Sequence, residues 1–273
     1  MRSFSMPCPR CKKLISANTP QCIHCGLKRP GFYARSPLLS ELIQESLSFV
    51  NGIIVLCFLL YVLALSLDLP KALAFGGVFT TLSPSGEALY KIGMGGARAL
   101  QAGRWWTLIT TTYLHGSILH ILFNMLWLRR LGPWVEELFG ASRFFLIYTF
   151  SGLAGAILSA LIGTSYFVGA SGAIFGLFGA LIYYGRHRGG TFGSAIFRQI
   201  LIWAGFGFFL GFLMPGVDNW GHLGGFLGGI LMAALLGYQE KKRQALGHHI
   251  LAVVALAVVL VCFLMMLVFF FVR

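Results

Sequence analysis

The sequence contains few charged residues and very few acidic ones. Only 11% of its 273 residues are charged, and Asp and Glu together number 8. Soluble domains average about 25% charged residues, so this composition excludes a soluble enzyme and a disordered chain. The hydrophobic share is 57%, and the mean hydropathy is +0.79. Together these values predict an integral membrane protein with several spans.

The N-terminus also lacks the apolar core of a secretory signal peptide, so no leader is expected to be removed. The formal net charge is +13, which in a soluble protein would suggest nucleic-acid binding. In a membrane protein, basic residues instead set the topology, and we expect no nucleic-acid partner.

Seven apolar segments approach the ~20 residues that a helix needs to cross a bilayer. They cover residues 49–67, 114–131, 144–162, 167–184, 196–214, 220–238 and 250–272. With the N-terminus inside, most of the 21 Lys and Arg residues lie on the cytoplasmic side, as the positive-inside rule requires. The sequence therefore predicts an all-α polytopic membrane protein with a cytoplasmic N-terminus and an external C-terminus.

Two cysteine pairs precede the first span: Cys8-Pro-Arg-Cys11 and Cys22-Ile-His-Cys25. Two CxxC turns at this spacing can supply four thiolates to one tetrahedral Zn²⁺, which predicts a small structural zinc ribbon. The alternatives are a pair of disulfides, which need an oxidising compartment, and a site in which His24 replaces one cysteine. The expected cytoplasmic location favours zinc.

Polar side chains occur in three spans at a similar predicted depth in the outer half of the membrane. They are His115, His120 and Asn124 in the second span, Ser171 in the fourth and His222 in the sixth. Each alone could be a helix-packing or carbonyl-bonding residue, but ionisable groups at this depth are candidates for function.

Glycine spacing indicates which of these spans pack together. Gly221, Gly225 and Gly229 repeat every four residues beside His222, and Gly172 follows Ser171. Small residues at this interval let helices approach closely, so spans four and six are predicted to place the serine against the histidine.

A serine beside a histidine can act as a nucleophile. His120, Asn124 and the Ser171 backbone N–H could then stabilise the oxyanion. A zinc site formed by His115, His120 and His222 is the alternative, although the sequence contains no HExxH motif. Asp218, one turn before His222, could orient the imidazole but is expected to lie in the loop, so we favour a Ser–His dyad.

Four stretches resemble the rhomboid intramembrane serine proteases. The segment from His115 to Asn124 is similar to the family's HxxxxHxxxN motif, and Gly169-Ala-Ser171-Gly is similar to its GxSG motif. The helix that begins at His222, with its glycine pairs, and the stretch from residue 131 to 140 (LGPWVEELFG) also resemble the family.

The resemblance implies that Ser171 is the nucleophile, that His222 is the general base and then acid, and that no cofactor takes part in catalysis. It assigns His120 and Asn124 to the oxyanion hole, with His115 and Gly169 in supporting roles. It further implies that Phe175 packs on the ring of His222. The family's Trp-Arg pair before the second span is absent, because the chain reads Arg104-Trp105-Trp106-Thr107.

We therefore expect a zinc ribbon in residues 1–30, a linker in 31–48, a six-helix rhomboid-like core in 49–238 and an added seventh helix in 239–273. The expected protein is a multi-pass peptidase of a bacterial cytoplasmic membrane. It would cut transmembrane substrates near their outer ends, while the ribbon could bind a cytoplasmic partner. The alternatives are a catalytically silent binder or escort of membrane proteins and a polar-lined channel, which would need polar faces through the full membrane depth.

Overall fold

A computed structural model describes residues 5–8, 13–16, 19–24, 31, 48–74, 77, 81–214, 216–241 and 244–272. The chain divides into two compact units, Met1–Gly52 and Ile53–Arg273. The division lies close to the predicted start of the membrane core at residue 49.

The first unit contains a short antiparallel hairpin. Strand β1 (Ser5–Pro7) pairs with β2 (Leu14–Ser16), with Met6 opposite Ile15. Cys8 and Cys22 are buried with Ile15 in one small cluster. Cys11, Cys25 and most of the predicted linker lie outside the described residues, so the four-cysteine site stays a prediction.

From Phe49 onward, the described chain is built of helices joined by loops. Its long helices are α1 (Phe49–Ser66), α6 (Ile118–Phe139), α7 (Ala141–Leu161), α8 (Ser171–Arg188), α9 (Gly190–Leu213), α10 (Asn219–Leu236) and α11 (Leu246–Val272). Four short helices lie between α1 and α6: α2 (Leu69–Leu73), α3 (Gly86–Lys91), α4 (Ala97–Gln101) and α5 (Thr107–Thr110). A 3₁₀ turn, Thr111–Tyr113, follows α5.

Five of the described helices, α1, α7, α9, α10 and α11, are long and apolar enough to cross a membrane. Helices α6 and α8 have 22 and 18 residues but carry several polar and basic side chains. The all-α polytopic fold is confirmed by this arrangement, whereas the six-plus-one division and the orientation remain predictions.

Two long helices begin later than their apolar segments suggest. Helix α6 begins at Ile118 because Ser117 adopts an extended conformation and its hydroxyl accepts a hydrogen bond from the His120 N–H, forming an N-cap. Helix α8 begins at Ser171 because Gly169 has a φ of +131°, which helical backbone does not adopt. The predicted starts at residues 114 and 167 were therefore wrong, and His115 lies before its helix.

Helices α7, α8 and α10 meet through glycine. A Cβ added at Gly225 would overlap the backbone carbonyl of Gly172, and one at Gly229 would overlap that of Gly176. On the other side of α10, a Cβ at Gly224 would lie 2.8 Å from the Ala154 carbonyl oxygen of α7. The predicted pairing of spans four and six is confirmed, and α7 completes a three-helix contact that only glycine permits.

Candidate active site

The first turn of α6 fixes the orientation of the His120 ring. The Gly116 N–H donates a hydrogen bond of 3.3 Å to His120 Nδ1. Because Nδ1 accepts this bond, the neutral imidazole carries its proton on Nε2. His120 Nε2 is therefore a hydrogen-bond donor.

His120 Nε2 and Ser171 both lie next to Gly169. A Cβ built on Gly169 would be 2.7 Å from His120 Nε2 and 3.7 Å from Ser171 Oγ. The structure therefore brings the histidine of α6 close to the serine that begins α8. The Gly169 N–H donates to the Thr111 carbonyl at 3.1 Å, which ties this glycine to the segment before α6.

The start of α10 is held by Asp218. Its carboxylate accepts the Gly221 N–H at 3.0 Å and the Ser159 hydroxyl of α7. Asp218 is thus the N-cap of α10, and it also joins α10 to α7 through the hydrogen bond from Ser159. From the sequence alone, Asp218 is a loop residue that could orient the imidazole. Both of its carboxylate oxygens have other partners.

His222 lies in the first turn of α10 and stacks on Phe175 of α8. The two ring centroids are 4.2 Å apart with an interplanar angle of 16°, so the predicted contact between Phe175 and His222 is confirmed. Among the residues that the structure describes, no group hydrogen-bonds the buried Nδ1 of His222. Stacking on Phe175, rather than a carboxylate, holds this ring.

Asn124 and His115 flank His120. Asn124 is buried, and its Nδ2 donates to the His120 carbonyl oxygen at 2.8 Å, which leaves a second N–H on the same nitrogen. The buried ring of His115 lies edge-on to that of His120, with the centroids 5.1 Å apart. The ring of His115 therefore packs against that of His120.

A cavity of about 30 Å³ adjoins the serine, large enough for one water molecule. The groups that line it include Thr111, Ser159, Gly169, Ser171, Asp218 and Gly221. Within the described residues, no three His, Cys, Asp or Glu side chains come close enough to share a metal ion. The geometry does not bring His115, His120 and His222 together as a zinc site.

Comparison with known proteins shows which family the chain belongs to. A model of the rhomboid domain matches residues 102–239, the region that holds every residue of the candidate site. The chain belongs to the rhomboid family. Rhomboid protease GluP of Bacillus subtilis is 39% identical over 186 residues, which cover 67% of this chain and 36% of that protein.

Two plant relatives show similar agreement. RHOMBOID-like protein 5 of Arabidopsis thaliana is 36% identical over 185 residues, covering 61% of this chain and 57% of the relative. RHOMBOID-like protein 7 of the same plant is 38% identical over 160 residues, covering 57% of this chain and 50% of the relative. The chain thus spans about a third to over a half of these relatives' lengths. The rhomboid domain and the relative named as a rhomboid protease support a family of intramembrane proteases.

Sequence reasoning missed the hydrogen bond between Ser159 and Asp218. Ser159 within the apolar segment 144–162 was the available signal, because a polar group within a span needs a partner. The partner is 59 residues further along the chain, and neither residue belongs to a rhomboid motif quoted above.

Proposed function

We propose that the protein is an intramembrane serine endopeptidase in which Ser171 is the nucleophile and His222 is the general base. The observation that carries the proposal is the approach of α8 to α10 beside these residues. The position of a Cβ on Gly172 is 3.2 Å from the carbonyl oxygen of Gly221. Ser171 is the residue before Gly172, and His222 is the residue after Gly221. The contact between these two glycines therefore brings the two backbones together next to the serine and the histidine.

The reaction uses groups of this chain alone. Ser171 Oγ attacks the scissile carbonyl while His222 Nε2 takes its proton, and the same histidine then protonates the leaving amine. The resulting ester is hydrolysed by water, with His222 again as the base. His222 acts without a carboxylate, because Phe175 holds its ring.

His120 and Asn124 supply the donors for the oxyanion. The Nε2–H of His120 lies on the Gly169 side of the site, beside Ser171, and Asn124 retains one amide N–H. Removing one such donor from a soluble serine protease lowers kcat by about 10²–10³-fold. We expect losses of this order for His120→Ala and Asn124→Ala.

The substrates are transmembrane proteins cut near their outer ends. In the topology with a cytoplasmic N-terminus, the first turns of α6, α8 and α10 all lie toward the outer side of the bilayer. A channel would need polar side chains along whole helices, whereas His120, Asn124, Ser171 and His222 lie in the first two turns of these three helices.

Cleavage of a transmembrane substrate in detergent tests the proposal. Ser171→Ala should lower kcat by about 10⁶-fold, the loss seen when a soluble protease loses its nucleophile. The matched control is Ser165→Ala, since Ser165 is an exposed serine six residues earlier. If the unmodified protein binds the substrate without cutting it, the silent-binder function is correct and the peptidase proposal is wrong.

We also propose that Cys8, Cys11, Cys22 and Cys25 hold one structural Zn²⁺. In support, Cys8 and Cys22 are buried in the same small cluster, and the Cys8 N–H donates to the Lys13 carbonyl at 2.9 Å. A module of this size has almost no apolar core, so the metal would supply its folding energy. The folded module would bind a partner on the cytoplasmic face.

A further inference from the structure

The seventh long helix, α11, presents one buried stripe to the membrane unit. Its buried residues lie three or four apart on one face; they are His248, Ala252, Ala255, Val259, Cys262 and Met266. Continued by one more turn, this stripe reaches Phe269. Most of the remaining apolar side chains of α11 are exposed, as expected for a face that contacts lipid.

The last turns of α11 contact the segment that precedes α6. The rings of Phe263 and Tyr113 have centroids 5.3 Å apart, and those of Phe269 and Trp106 are 6.0 Å apart. A Cβ on Gly93 would lie 3.4 Å from Met266 Cγ. Helix α11 therefore packs on residues 93–113 as well as on its neighbouring long helix α7.

Arg104 connects this segment to α11. Its side chain is 1% exposed, and its guanidinium carbon is 4.0 Å from the ring centroids of both Tyr90 and Phe269. Arg104 Nη2 donates to the Tyr90 carbonyl at 2.6 Å. Within the described residues, no acceptor forms a hydrogen bond with Arg104 Nε or Nη1.

Burying a cation costs free energy, because the cation loses the water molecules that solvate it. Where no carboxylate is present, other groups must stabilise the charge. For Arg104 those groups are one carbonyl oxygen, the rings of Tyr90 and Phe269, and the more distant ring of Trp106, whose centroid is 5.9 Å away. Cation–π contacts strengthen when they are desolvated. Of these three rings, Phe269 is the one that belongs to α11.

The clamped segment is hydrogen-bonded to the backbone that leads into Ser171. The Thr110 hydroxyl donates to the Gly93 carbonyl at 2.8 Å, and the Thr111 hydroxyl donates to the Phe167 carbonyl at 2.6 Å. The Phe167 N–H donates to the Gly95 carbonyl at 2.9 Å. A displacement of residues 93–111 would therefore move residues 167–169.

We propose that Phe269 is a positioning residue for Ser171. Its ring and Tyr90 enclose the guanidinium of Arg104, and this clamp fixes residues 93–111, which in turn fix the backbone before the serine. Helix α11 thus contributes to the position of the nucleophile in the peptidase. The catalytic consequence rests on the proposed function, whereas the clamp itself does not.

The experiment compares Phe269→Ala with Phe271→Ala in the full chain. Phe271 is 80% exposed two residues further along the same helix, so its variant controls for loss of a phenyl ring to lipid. Phe269→Ala should lower kcat by about tenfold or more, as expected from loss of a desolvated cation–π contact, with KM unchanged. Phe271→Ala should retain the unmodified rate.

Rescue separates the clamp from simple packing. Phe269→Tyr keeps a ring face over Arg104 and should retain activity, whereas Phe269→Leu keeps apolar bulk and should not. In an Arg104→Met background, Phe269→Leu should cost little more, because the cation is already gone. Equal rates for Phe269→Leu and the unmodified protein would overturn the proposal.

Amide hydrogen exchange tests the clamp without using activity. In Phe269→Ala, exchange should accelerate at residues 93–111 and 167–169, and Phe271→Ala should leave it unchanged. Faster exchange in a protein that cleaves no substrate would support the clamp while contradicting the peptidase function. Unchanged exchange in Phe269→Ala would overturn the clamp, whatever the activity.

Discussion

Gly169→Ala tests the geometry around the serine most sharply, because two separate costs meet at this residue. Its φ of +131° is a conformation that side chains disfavour by about 1–3 kcal/mol. In addition, the new methyl would lie 2.7 Å from His120 Nε2 and 2.8 Å from Cε1. Carbon atoms do not approach a ring so closely, so the imidazole must move.

Movement of the ring removes one oxyanion donor. We therefore expect kcat/KM of Gly169→Ala to fall by about 10²–10³-fold, the loss that follows removal of one such donor elsewhere. The free energy of unfolding should fall by only about 1–3 kcal/mol. The chemical effect thus exceeds what partial unfolding of the protein would produce.

Gly163→Ala is the matched control. Gly163 lies in the same connection, has a φ of +90° and has no atom within 4 Å of its Cβ position. It should carry a backbone cost of similar size without displacing His120. Its thermal midpoint in detergent should therefore fall by a similar amount, while its cleavage rate stays near that of the unmodified protein.

A double variant completes the test. Because the added methyl acts through the imidazole, Gly169→Ala combined with His120→Ala should be no slower than His120→Ala alone. Equal cleavage rates for Gly169→Ala and Gly163→Ala would refute the reasoning. Fully additive losses in the double variant would show that Gly169 acts by another route.

Three further predictions concern other parts of the chain. Asp218→Ala removes the N-cap of α10 and should lower the free energy of unfolding by about 1 kcal/mol; Asp218→Asn should lose less, and thermal unfolding in detergent measures both. Phe175→Leu removes the ring stacked on His222 and should lower kcat more than Phe175→Tyr; equal kcat values would contradict the positioning role. The double change Cys8→Ser, Cys11→Ser should release one zinc per chain by elemental analysis but retain cleavage in detergent, and a collapse of activity would show that the ribbon is coupled to the site.

The helical spans could be predicted because each is a continuous apolar run. The predicted end at residue 67 lies one residue past the observed Ser66 of α1. Other boundaries differ more, since α9 begins at Gly190 instead of 196 and α6 ends at Phe139 instead of 131. Beside the site, Ser117 and Gly169 replace helical backbone with a cap and a left-handed residue. Hydropathy averages over such single residues, so it placed the starts of α6 and α8 too early.

The glycine repeats predicted which helices pair, because a four-residue interval can be recognised within one short stretch of sequence and marks a face that another helix can approach closely. Gly225 and Gly229 face α8, while Gly224 and Gly228 face α7, so two interleaved glycine pairs contact two different helices. Gly221, the first glycine of its repeat, lies against Ser159 of α7. The contact between Arg104 and Phe269 could not be predicted, since these residues are 165 positions apart and belong to no common pattern. Only the packing of α11 brings them together.

Active-site labelling tests most directly whether Ser171 is the nucleophile and His222 is its base. The purified protein in detergent is treated with a fluorophosphonate probe, and the labelled residue is mapped by mass spectrometry, with Ser171→Ala, His222→Ala and Ser165→Ala in parallel. We predict one label, on Ser171, that persists in Ser165→Ala and is lost in the other two variants, because the hydroxyl reacts only with its base in place. A label on another residue, or an unmodified protein that stays unlabelled while it cleaves its substrate, would contradict the assignment of Ser171 and His222.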